Sequence, residues 1–260
     1  MAQVKLAVIQ FPRQTFELDP NIRRMSDYLA AIETDTDIVL LPEGWMGPLF
    51  MGEDKNLKIL GELFPLIKAP DCLLATGAQY LEIDGQKLDR GFFISKHLDE
   101  PVPYDKIFPS QAIRERDFIV PGHHLPVVEH QGVKVGAAVC VDFFYPELVR
   151  SLALRGASLV VNPANIPTNR MPLWHRLGVT RASENTVFVA MANNTGTSYP
   201  DQRRITGDSF VAYPDGFQLF TFGPEPGIYY HQLDLSLIDQ VRQRWPYLDD
   251  IRERGMEVPR

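Results

Sequence analysis

The chain has 260 residues, of which 45% are hydrophobic and 23% are charged, and its formal net charge is −7. This composition is typical of a folded globular protein, because it contains enough apolar side chains to offset the entropy lost on ordering. The net negative charge and the lack of a lysine and arginine cluster disfavour nucleic acid as a partner. Two cysteines are too few for a disulfide framework, which indicates a reducing compartment.

No stretch of the sequence approaches the ~20 consecutive apolar residues that a membrane-spanning helix needs. The segment from Met1 to Pro12 lacks the long hydrophobic region and the small-residue cleavage site of a secretory signal. We therefore expect no membrane partner and a cytoplasmic location. The sequence contains no low-complexity linker or detectable repeat, so we expect one domain covering residues 1–260.

Short apolar runs that are typical of strands alternate with segments whose apolar residues recur at helical spacing. The predicted strands are Val4–Ile9, Ile38–Leu41, Leu73–Tyr80, Gly91–Ser95, Val135–Val139, Ser158–Val161, Val187–Ala192, Ser209–Tyr213 and Ile228–Leu233. Five helices are predicted. The first is capped by Asp19-Pro20, and the third begins at Pro146 and stops at Gly156. The others are Leu57–Ile67, Pro172–Asn185 and Asp234–Trp245. This alternation predicts an α/β fold. The turn Asp84-Gly85 predicts a hairpin, and hence a mixed sheet or two such sheets between helices.

Three predicted strands end in polar or reactive residues. They lead into Pro42-Glu43-Gly44, Cys140-Val141-Asp142 and Asn162-Pro163. In α/β proteins, ligands bind at the carboxyl ends of strands. These three segments are therefore the predicted location of the functional site.

Cys140 lies between a buried strand and a helix, where a thiol can project into a crevice as a nucleophile. Locally, the alternative that Cys140 is a small buried hydrophobe stays open, and for Cys72 that alternative is favoured. None of the six histidines forms a metal-binding spacing or an evident pair with Cys140. Glu43 is the candidate base, although an ion pair closing the end of its strand is the other interpretation.

Three motifs in order resemble those of the nitrilase superfamily of carbon–nitrogen hydrolases. They are Leu40-Leu41-Pro42-Glu43, Tyr104-Asp105-Lys106-Ile107 and the segment from Gly136 to Glu147, and further similarities extend nearly end to end, including Trp174 and Arg181-Ala182-Ser183-Glu184-Asn185. The resemblance implies an α/β fold built as a four-layer α-β-β-α sandwich with two mixed β-sheets. It implies no metal and no organic cofactor. It also implies a homodimer or higher homo-oligomer formed through the helices after Cys140 and around Trp174, whose apolar residues include Leu152, Ala153, Leu173 and Leu177.

The resemblance also implies roles for individual residues. Cys140 would be the nucleophile, Glu43 the general base, and Lys106 would stabilise the oxyanion together with the backbone N–H after Cys140. Glu115 matches the family's second glutamate, with Asp117 as the alternative and a surface ion pair as the non-catalytic interpretation of Glu115. A cation ~4 Å away is worth about 4 kcal/mol at an effective dielectric near 20, so we expect Lys106 to lower the pKa of the Cys140 thiol.

The residues after Cys140 bear on the substrate. Cys140-Val141-Asp142 is closer to the Cys-Tyr-Asp of amidases than to the Cys-Trp-Glu of nitrile-cleaving members, which favours an amide. A nitrile, an N-carbamoyl compound, acyl transfer on the same scaffold, or a non-enzymatic interaction role are the alternatives. Asp142 is expected to be structural. Phe144 stands where many amidase-branch members have an arginine, which argues against ω-amino-acid or N-carbamoyl-amino-acid substrates. The predicted substrate-binding residues are Trp45, Val141, Phe143, Phe144 and Asn165, with Phe50 and Tyr199 as further candidates for an apolar pocket.

Overall fold

The computed structural model describes residues 3–256. Its strands are β1 (Gln3–Pro12), β2 (Ile38–Leu40), β3 (Met51–Gly52), β4 (Leu73–Ala75), β5 (Gln79–Ile83), β6 (Gln86–Ile94), β7 (Val102–Asp105), β8 (Val127–His130), β9 (Val133–Ala137), β10 (Leu159–Ala164), β11 (Phe188–Thr195), β12 (Thr197–Ser198), β13 (Arg204–Ile205), β14 (Phe210–Ala212), β15 (Leu219–Thr221) and β16 (Gly227–Asp234). Its α-helices are α1 (Leu18–Ala30), α2 (Glu53–Leu63), α3 (Pro146–Leu154), α4 (Met171–Asn185), α5 (Ser236–Arg244) and α6 (Tyr247–Glu253). Within residues 3–256, every helix is too short or too polar to cross a membrane.

Two mixed sheets make up the centre of the molecule. The first has the order β3-β5-β6-β4-β2-β1-β16, with β7 on the far side of β6. The second has the order β15-β14-β11-β10-β9-β8. Strands β1, β2 and β4 are parallel in the first sheet and β9, β10 and β11 in the second, while their neighbours run antiparallel. A two-residue ladder, Phe11 with Asn194 and Pro12 with Thr195, joins the sheets where β1 and β11 end.

Alternation along β1 shows how the layers stack. Leu6 and Val8 belong to the core that contains the second sheet, whereas Ala7 and Ile9 pack in a separate core with Met25 of α1. Because successive side chains of a strand face opposite sides of a sheet, β1 is buried on both faces. Helices α3 and α4 cover the outer face of the second sheet. The predicted four-layer α-β-β-α sandwich with two mixed sheets is confirmed.

Several predicted boundaries differ from the structure. The predicted strand Leu73–Tyr80 is two strands, β4 and β5, separated by a turn at Gly77. Gly77 has a φ of +72°, and a Cβ there would lie 2.1 Å from the carbonyl oxygen of Pro42. Only glycine allows this close approach to the segment before Glu43. The hairpin at Asp84-Gly85 joins β5 to β6, which begins at Gln86 rather than at Gly91.

Two predicted helix starts are also displaced. Helix α1 begins at Leu18, so Asp19 lies in its first turn instead of capping it, where its charge still complements the helix dipole. Helix α2 begins at Glu53 rather than at Leu57, directly after the short strand β3. The first turn of α2, Glu53-Asp54, is polar, so the spacing of apolar residues could not indicate where the helix begins.

The outer helices of the second sheet bear on the predicted subunit interface. Leu152 and Ala153 of α3 are fully buried within the chain. The side chain of Leu152 packs directly on Gly136 of β9, so closely that a Cβ at position 136 would lie 2.6 Å from a methyl carbon of Leu152. Helix α6 packs against α3 and α4, and Arg252 of α6 donates to the carbonyl oxygen of Leu154 at 3.1 Å. The interpretation of Leu152 and Ala153 as part of a subunit face is therefore wrong, because both side chains are used by the chain's own core.

Candidate active site

The four predicted catalytic residues come from separate elements and meet in one buried cluster. Glu43 follows β2, Lys106 follows β7, and Cys140 follows β9. Glu115 begins a short 3₁₀ turn in the segment between β7 and β8. All four side chains are buried, with Lys106 and Glu115 at 0% exposure. Residues that are distant in sequence are thus brought together where strands of both sheets end, as predicted for an α/β fold.

Lys106 lies at the centre of the cluster. Its Nζ donates to Glu43 Oε1 at 2.7 Å, to Glu115 Oε1 at 2.8 Å and to Asp89 Oδ2 at 3.3 Å. Burial alone would lower the pKa of Lys106, but the charges of Glu43 and Glu115 outweigh it and raise that pKa well above its usual value. Lys106 is therefore a permanent cation that orients the surrounding carboxyl groups.

Glu115 lies inside this cluster, next to Lys106. Glu115 Oε1 accepts a hydrogen bond from the Tyr80 hydroxyl at 2.8 Å, and Oε2 accepts one from the Ser110 backbone N–H at 2.6 Å. Asp117 lies at the surface, paired with Arg114 at 2.8 Å. Glu115, rather than Asp117, thus contacts Lys106, and the surface ion pair considered for Glu115 belongs to Asp117.

Asp89 of β6 is a third carboxyl group in the cluster that the sequence did not reveal. Its side chain is buried beside Lys106. Burial, reinforced by the negative charges of Glu43 and Glu115, raises the pKa of Asp89 well above its usual range. The carboxyl group of Asp89 therefore holds its proton more tightly than that of Glu43, whose pKa is lowered.

The three carboxyl groups have a spacing that could suit a cation. Oxygens of Glu43, Asp89 and Glu115 lie within 4.8 Å of one another. The ammonium group of Lys106 already donates to all three, so the position that a metal ion would take holds a lysine. Lys106 therefore supplies the positive charge that these three carboxyl groups face.

Cys140 occupies a strained turn between β9 and α3. Its φ is +50°, a left-handed conformation that non-glycine residues adopt at a cost of about 1–3 kcal/mol. Asn162 of β10 supports the turn by donating to the carbonyl oxygens of Ala138 at 2.6 Å and Cys140 at 3.2 Å. This is the geometry of the predicted nucleophile elbow.

Asp142 ties the elbow to the loop that carries the lysine. Its two carboxyl oxygens accept hydrogen bonds from the backbone N–H groups of Ile107 and Phe108, each at 2.8 Å. Burial raises the pKa of Asp142 to about 7, although these two N–H groups oppose that rise. The contacts are those of the structural role that the sequence predicted for Asp142.

Arg181 of α4 holds the other end of the elbow. Its Nε donates to the carbonyl oxygen of Phe143 at 3.0 Å and its Nη2 to that of Phe144 at 3.3 Å. Glu184, one turn later, pairs with its Nη1 at 2.6 Å. The motif Arg181–Asn185 therefore positions the turn that follows Cys140.

The thiol and Glu43 have protonation states that differ from the expectation. Burial and the charge of Glu43 raise the pKa of the Cys140 thiol well above its usual value, and Lys106 only partly opposes this. Lys106 does lower this pKa as predicted, but the expected net lowering is wrong, because burial and the charge of Glu43 act more strongly. Burial would raise the pKa of Glu43 too, but the charge and hydrogen bond of Lys106 hold it below its usual range. The thiol lies close enough to Glu43 for each group to affect the pKa of the other. The resting site is thus a neutral thiol beside an ionised carboxylate.

A cavity of about 510 Å³ opens onto the carboxyl cluster. Glu43, Asp89 and Glu115 are part of its lining. Phe50, Tyr80 and Phe118 form an aromatic wall, with ring centroids 5.3–5.9 Å apart. This volume is in the usual range for small-molecule sites.

The predicted substrate-binding residues divide into two groups. Asn165, Phe50 and Tyr199 line the cavity. Trp45, Val141, Phe143 and Phe144 lie outside its lining. Trp45 is buried, with its indole N–H donating to the Thr76 carbonyl oxygen at 2.9 Å.

The other aromatic residues of this group have structural positions as well. Phe143 is fully buried in the core, and Phe144 is 42% exposed, with its ring 5.1 Å from that of Trp174. Val141, which directly follows Cys140, is half-buried. Proximity to Cys140 in sequence does not place a side chain in the cavity, because the 3₁₀ turn Cys140–Phe144 packs its aromatic residues against the second sheet and α4.

Two asparagines at the end of β11 fix the cavity wall. Asn194 Nδ2 donates to the backbone carbonyl of Glu43 at 2.7 Å and to Asn165 Oδ1 at 2.9 Å. Asn193 Oδ1 accepts from the Ile166 backbone N–H at 2.8 Å. The positions of Glu43 and Asn165 are thereby set by β11.

Arg13, directly after β1, also lines the cavity and was not singled out from the sequence. Its residue exposure is 6%, and its Nη1 donates to the carbonyl oxygen of Gly44 at 3.2 Å. Gly44 follows Glu43, so a guanidinium group lies beside the catalytic loop.

The chain is similar to known proteins over nearly its whole length. The family model for carbon-nitrogen hydrolase matches residues 5–243. A 2-oxoglutaramate amidase from Bacillus subtilis is 27% identical, with 95% of this chain and 97% of that protein covered. An (R)-stereoselective amidase from a Pseudomonas species is 26% identical, with 96% and 92% covered. The crystal structure of Saccharomyces cerevisiae Nit3, a member of branch 10 of the nitrilase superfamily, superposes with a TM-score of 0.81 at 21% identity, covering 94% of each chain.

Proposed function

Because the chain belongs to the carbon-nitrogen hydrolase family, we propose that it hydrolyses the C–N bond of a carboxylic amide, giving an acid and ammonia, through a thioester on Cys140. The observation that carries the proposal is the buried cluster of Cys140, Glu43, Lys106 and Glu115 beside a cavity. The names of two relatives, both amidases, support an amide over a nitrile.

The first half of the reaction forms the acyl-enzyme. Glu43 takes the proton of the Cys140 thiol as the sulfur attacks the carbonyl carbon of the amide. The oxyanion receives hydrogen bonds from Lys106 Nζ and from the backbone N–H of Val141. Glu43 then returns the proton to the nitrogen, the C–N bond breaks and ammonia leaves. The carbonyl carbon stays bonded to sulfur.

The second half uses the same groups in reverse. Glu43 takes a proton from water, whose oxygen attacks the thioester carbon. The C–S bond breaks, the acid leaves and the thiol regains its proton. Glu115 does not move a proton in this scheme. Held by Tyr80 and Ser110, it keeps Lys106 oriented toward the oxyanion.

The pH profile of kcat/KM tests the protonation states. The free enzyme needs ionised Glu43 and a protonated thiol. Because the pKa of Glu43 is lowered and that of Cys140 is raised, we expect a broad plateau that extends on the acid side below the ordinary glutamate value of about 4.3. On the alkaline side it extends above the ordinary cysteine value of about 8.5. Initial rates of ammonia release from pH 4 to 10, corrected for enzyme stability, give this profile. Loss of activity as pH falls through about 5 to 6, which lies above the lowered pKa of Glu43 and below the value of about 7 for Asp142, would contradict the assignment of Glu43 as the base.

A substrate panel tests the reaction class. We expect ammonia from aliphatic or aryl amides and little from the matched nitriles. Wild-type enzyme and the Cys140→Ala variant are incubated with both sets, and ammonia is measured. Release from nitriles but not from amides would overturn the amide proposal in favour of a nitrilase. Transfer of the acyl group to added amines in preference to water would indicate an acyl transferase.

We also propose a homodimer or higher homo-oligomer. Buried Leu152 and Ala153 do not support it, but Leu173 and Leu177 of α4 remain half-buried and apolar. Sedimentation equilibrium is expected to give at least twice the mass of one chain. A single-chain mass at micromolar concentration would contradict the oligomer.

We propose a cytoplasmic location because the cysteines are not paired in a disulfide. Cys72 and Cys140 are both free thiols in the structure. A reducing compartment would keep Cys140 available for catalysis.

A further inference from the structure

Arg13 is a buried cation with few partners. Within residues 3–256, its one side-chain hydrogen bond is the 3.2 Å contact from Nη1 to the carbonyl oxygen of Gly44. Its Nε is buried with no hydrogen-bond partner, and no carboxylate of these residues pairs with it. A guanidinium group has five N–H donors, and buried charges in proteins are normally paired. The site of Arg13 is therefore incomplete in the protein alone.

The other arginines of the cavity lining differ from Arg13. Arg114 pairs with Asp117 and Arg203 with Asp201, each at 2.8 Å, and both have side chains that reach solvent. Each of these two carries its own counter-charge at the rim. Among the described cavity residues, Arg13 is thus the arginine whose charge is left for a ligand.

Arg13 remains charged despite its burial. Burial lowers its pKa, but the nearby Tyr199 and Glu43 oppose this, and a guanidinium group keeps its proton under all ordinary conditions. The group that best satisfies a guanidinium is a carboxylate, which accepts two parallel N–H bonds. Without such a cation, the carboxylates of Glu43 and Glu115 would repel an anionic substrate from this cavity.

We propose that Arg13 binds a carboxylate of the substrate, so that the substrate is an amide that also carries a carboxylate group. This inference rests on the proposed amide hydrolysis and specifies its substrate class. Arg13 and the catalytic carboxyl groups line the same cavity, so one small molecule can reach both. Phe144 does not argue against this class. It lies outside the cavity lining, and Arg13 reaches the cavity from β1 instead.

The experiment compares two series of amides that are matched in chain length. One series is the monoamides of dicarboxylic acids (succinamic, glutaramic and adipamic acid), and the other has a methyl group in place of the free carboxylate. Wild-type enzyme is expected to prefer the acid series. Arg13→Gln, which keeps a donor for the Gly44 carbonyl, is expected to lower kcat/KM on the preferred acid amide by about 10²-fold, mainly by raising KM. Its loss of kcat/KM on the neutral amide should be much smaller than its loss on the acid amide. Arg13→Lys, which keeps the charge but loses the planar fork, should retain part of the preference.

Arg23→Gln is the control, because it removes one positive charge from an exposed residue of α1 that lies outside the cavity lining. It should leave the preference for the acid series in place. Equal loss on both series in Arg13→Gln would show a merely structural role and overturn the inference. So would a wild-type preference for the neutral series.

A binding measurement separates this inference from the proposed function. Calorimetric titration of Cys140→Ala with glutarate measures carboxylate binding without turnover. We expect binding that the added Arg13→Gln substitution abolishes. If wild-type enzyme releases no ammonia from either series, the amide proposal fails, and the titration still decides whether Arg13 binds carboxylates. Unchanged glutarate binding in the double variant would overturn the inference, whatever the outcome with amides.

Discussion

Replacing Cys140 with alanine is expected to lower ammonia release from amides by at least about 10⁴-fold while leaving the protein folded. The thiol supplies the atom that bonds to the carbonyl carbon, and none of the remaining groups of the cluster replaces it. Alanine fits the same turn, because the φ of +50° is as costly for alanine as for cysteine. Steady-state ammonia release and thermal unfolding of the variant check both parts.

Cys72→Ala is the matched control for this variant. Cys72 is also a buried cysteine, next to β4, and burial raises its pKa to about 11. We expect it to cost some stability through lost packing and to leave kcat/KM close to that of the wild type. Substantial activity in Cys140→Ala, or its loss in a folded Cys72→Ala protein, would contradict the assignment of the nucleophile.

Replacing Lys106 with methionine is expected to damage both catalysis and stability. Loss of one oxyanion donor typically lowers the rate by about 10²–10³-fold. Removing the cation also leaves the carboxylates of Glu43 and Glu115 buried without their counter-charge. Breaking a buried ion pair in this way costs about 3–5 kcal/mol of unfolding free energy. Urea unfolding at pH 7, beside ammonia release, measures the two effects.

The pH dependence of this loss has a definite sign. In the wild type, the pKa of Glu43 is held below its unfolded value, so its stabilisation is present above that unfolded value and is lost as pH falls through the folded pKa. In Lys106→Met, burial acts unopposed and raises the pKa of Glu43, so the folded state binds the proton more tightly. The variant should therefore recover stability relative to the wild type as pH is lowered from 7 to about 5. Lys134→Met, which removes an exposed lysine, is the control. An unfolding free energy of Lys106→Met equal to that of Lys134→Met at pH 7 would contradict the buried cluster.

The residues that local patterns could identify were those at strand ends. Glu43 and Cys140 each follow an apolar run. Lys106 could be identified because its motif lies between the motifs of Glu43 and Cys140, in the order typical of the family. Glu115 could be proposed but not fixed, because the loop is longer than the family's pattern. Its position depends on contacts with Tyr80 and Ser110 that no local pattern encodes.

Asp89 and Arg13 could not be predicted because their roles arise from long-range pairing. The charged residues Asp89 and Arg90 hid the start of β6, and both are neutralised by partners beyond the hairpin, Lys106 and Asp105. Arg13 becomes notable only through its burial in a cavity formed by distant segments.

Two further expectations failed because the sequence alone does not show what each group contacts. The pKa of the Cys140 thiol was expected to fall because of the charge of Lys106, whereas burial and the charge of Glu43 raise it by more than Lys106 lowers it. Trp45 and Phe143 were assigned to the substrate pocket by their position beside the motifs, yet both are buried in the core.

The central claim is that the substrate's acyl group becomes bonded to Cys140. The most direct test uses the wild-type enzyme with a p-nitrophenyl ester, whose leaving group needs no proton. Glu43 takes the proton of the Cys140 thiol as the sulfur bonds to the carbonyl carbon and p-nitrophenolate leaves. After rapid mixing and an acid quench, we expect a burst of one p-nitrophenolate per chain and a matching acyl mass on the peptide that contains Cys140. Release without a burst, or an acyl group on any other residue, would contradict the account.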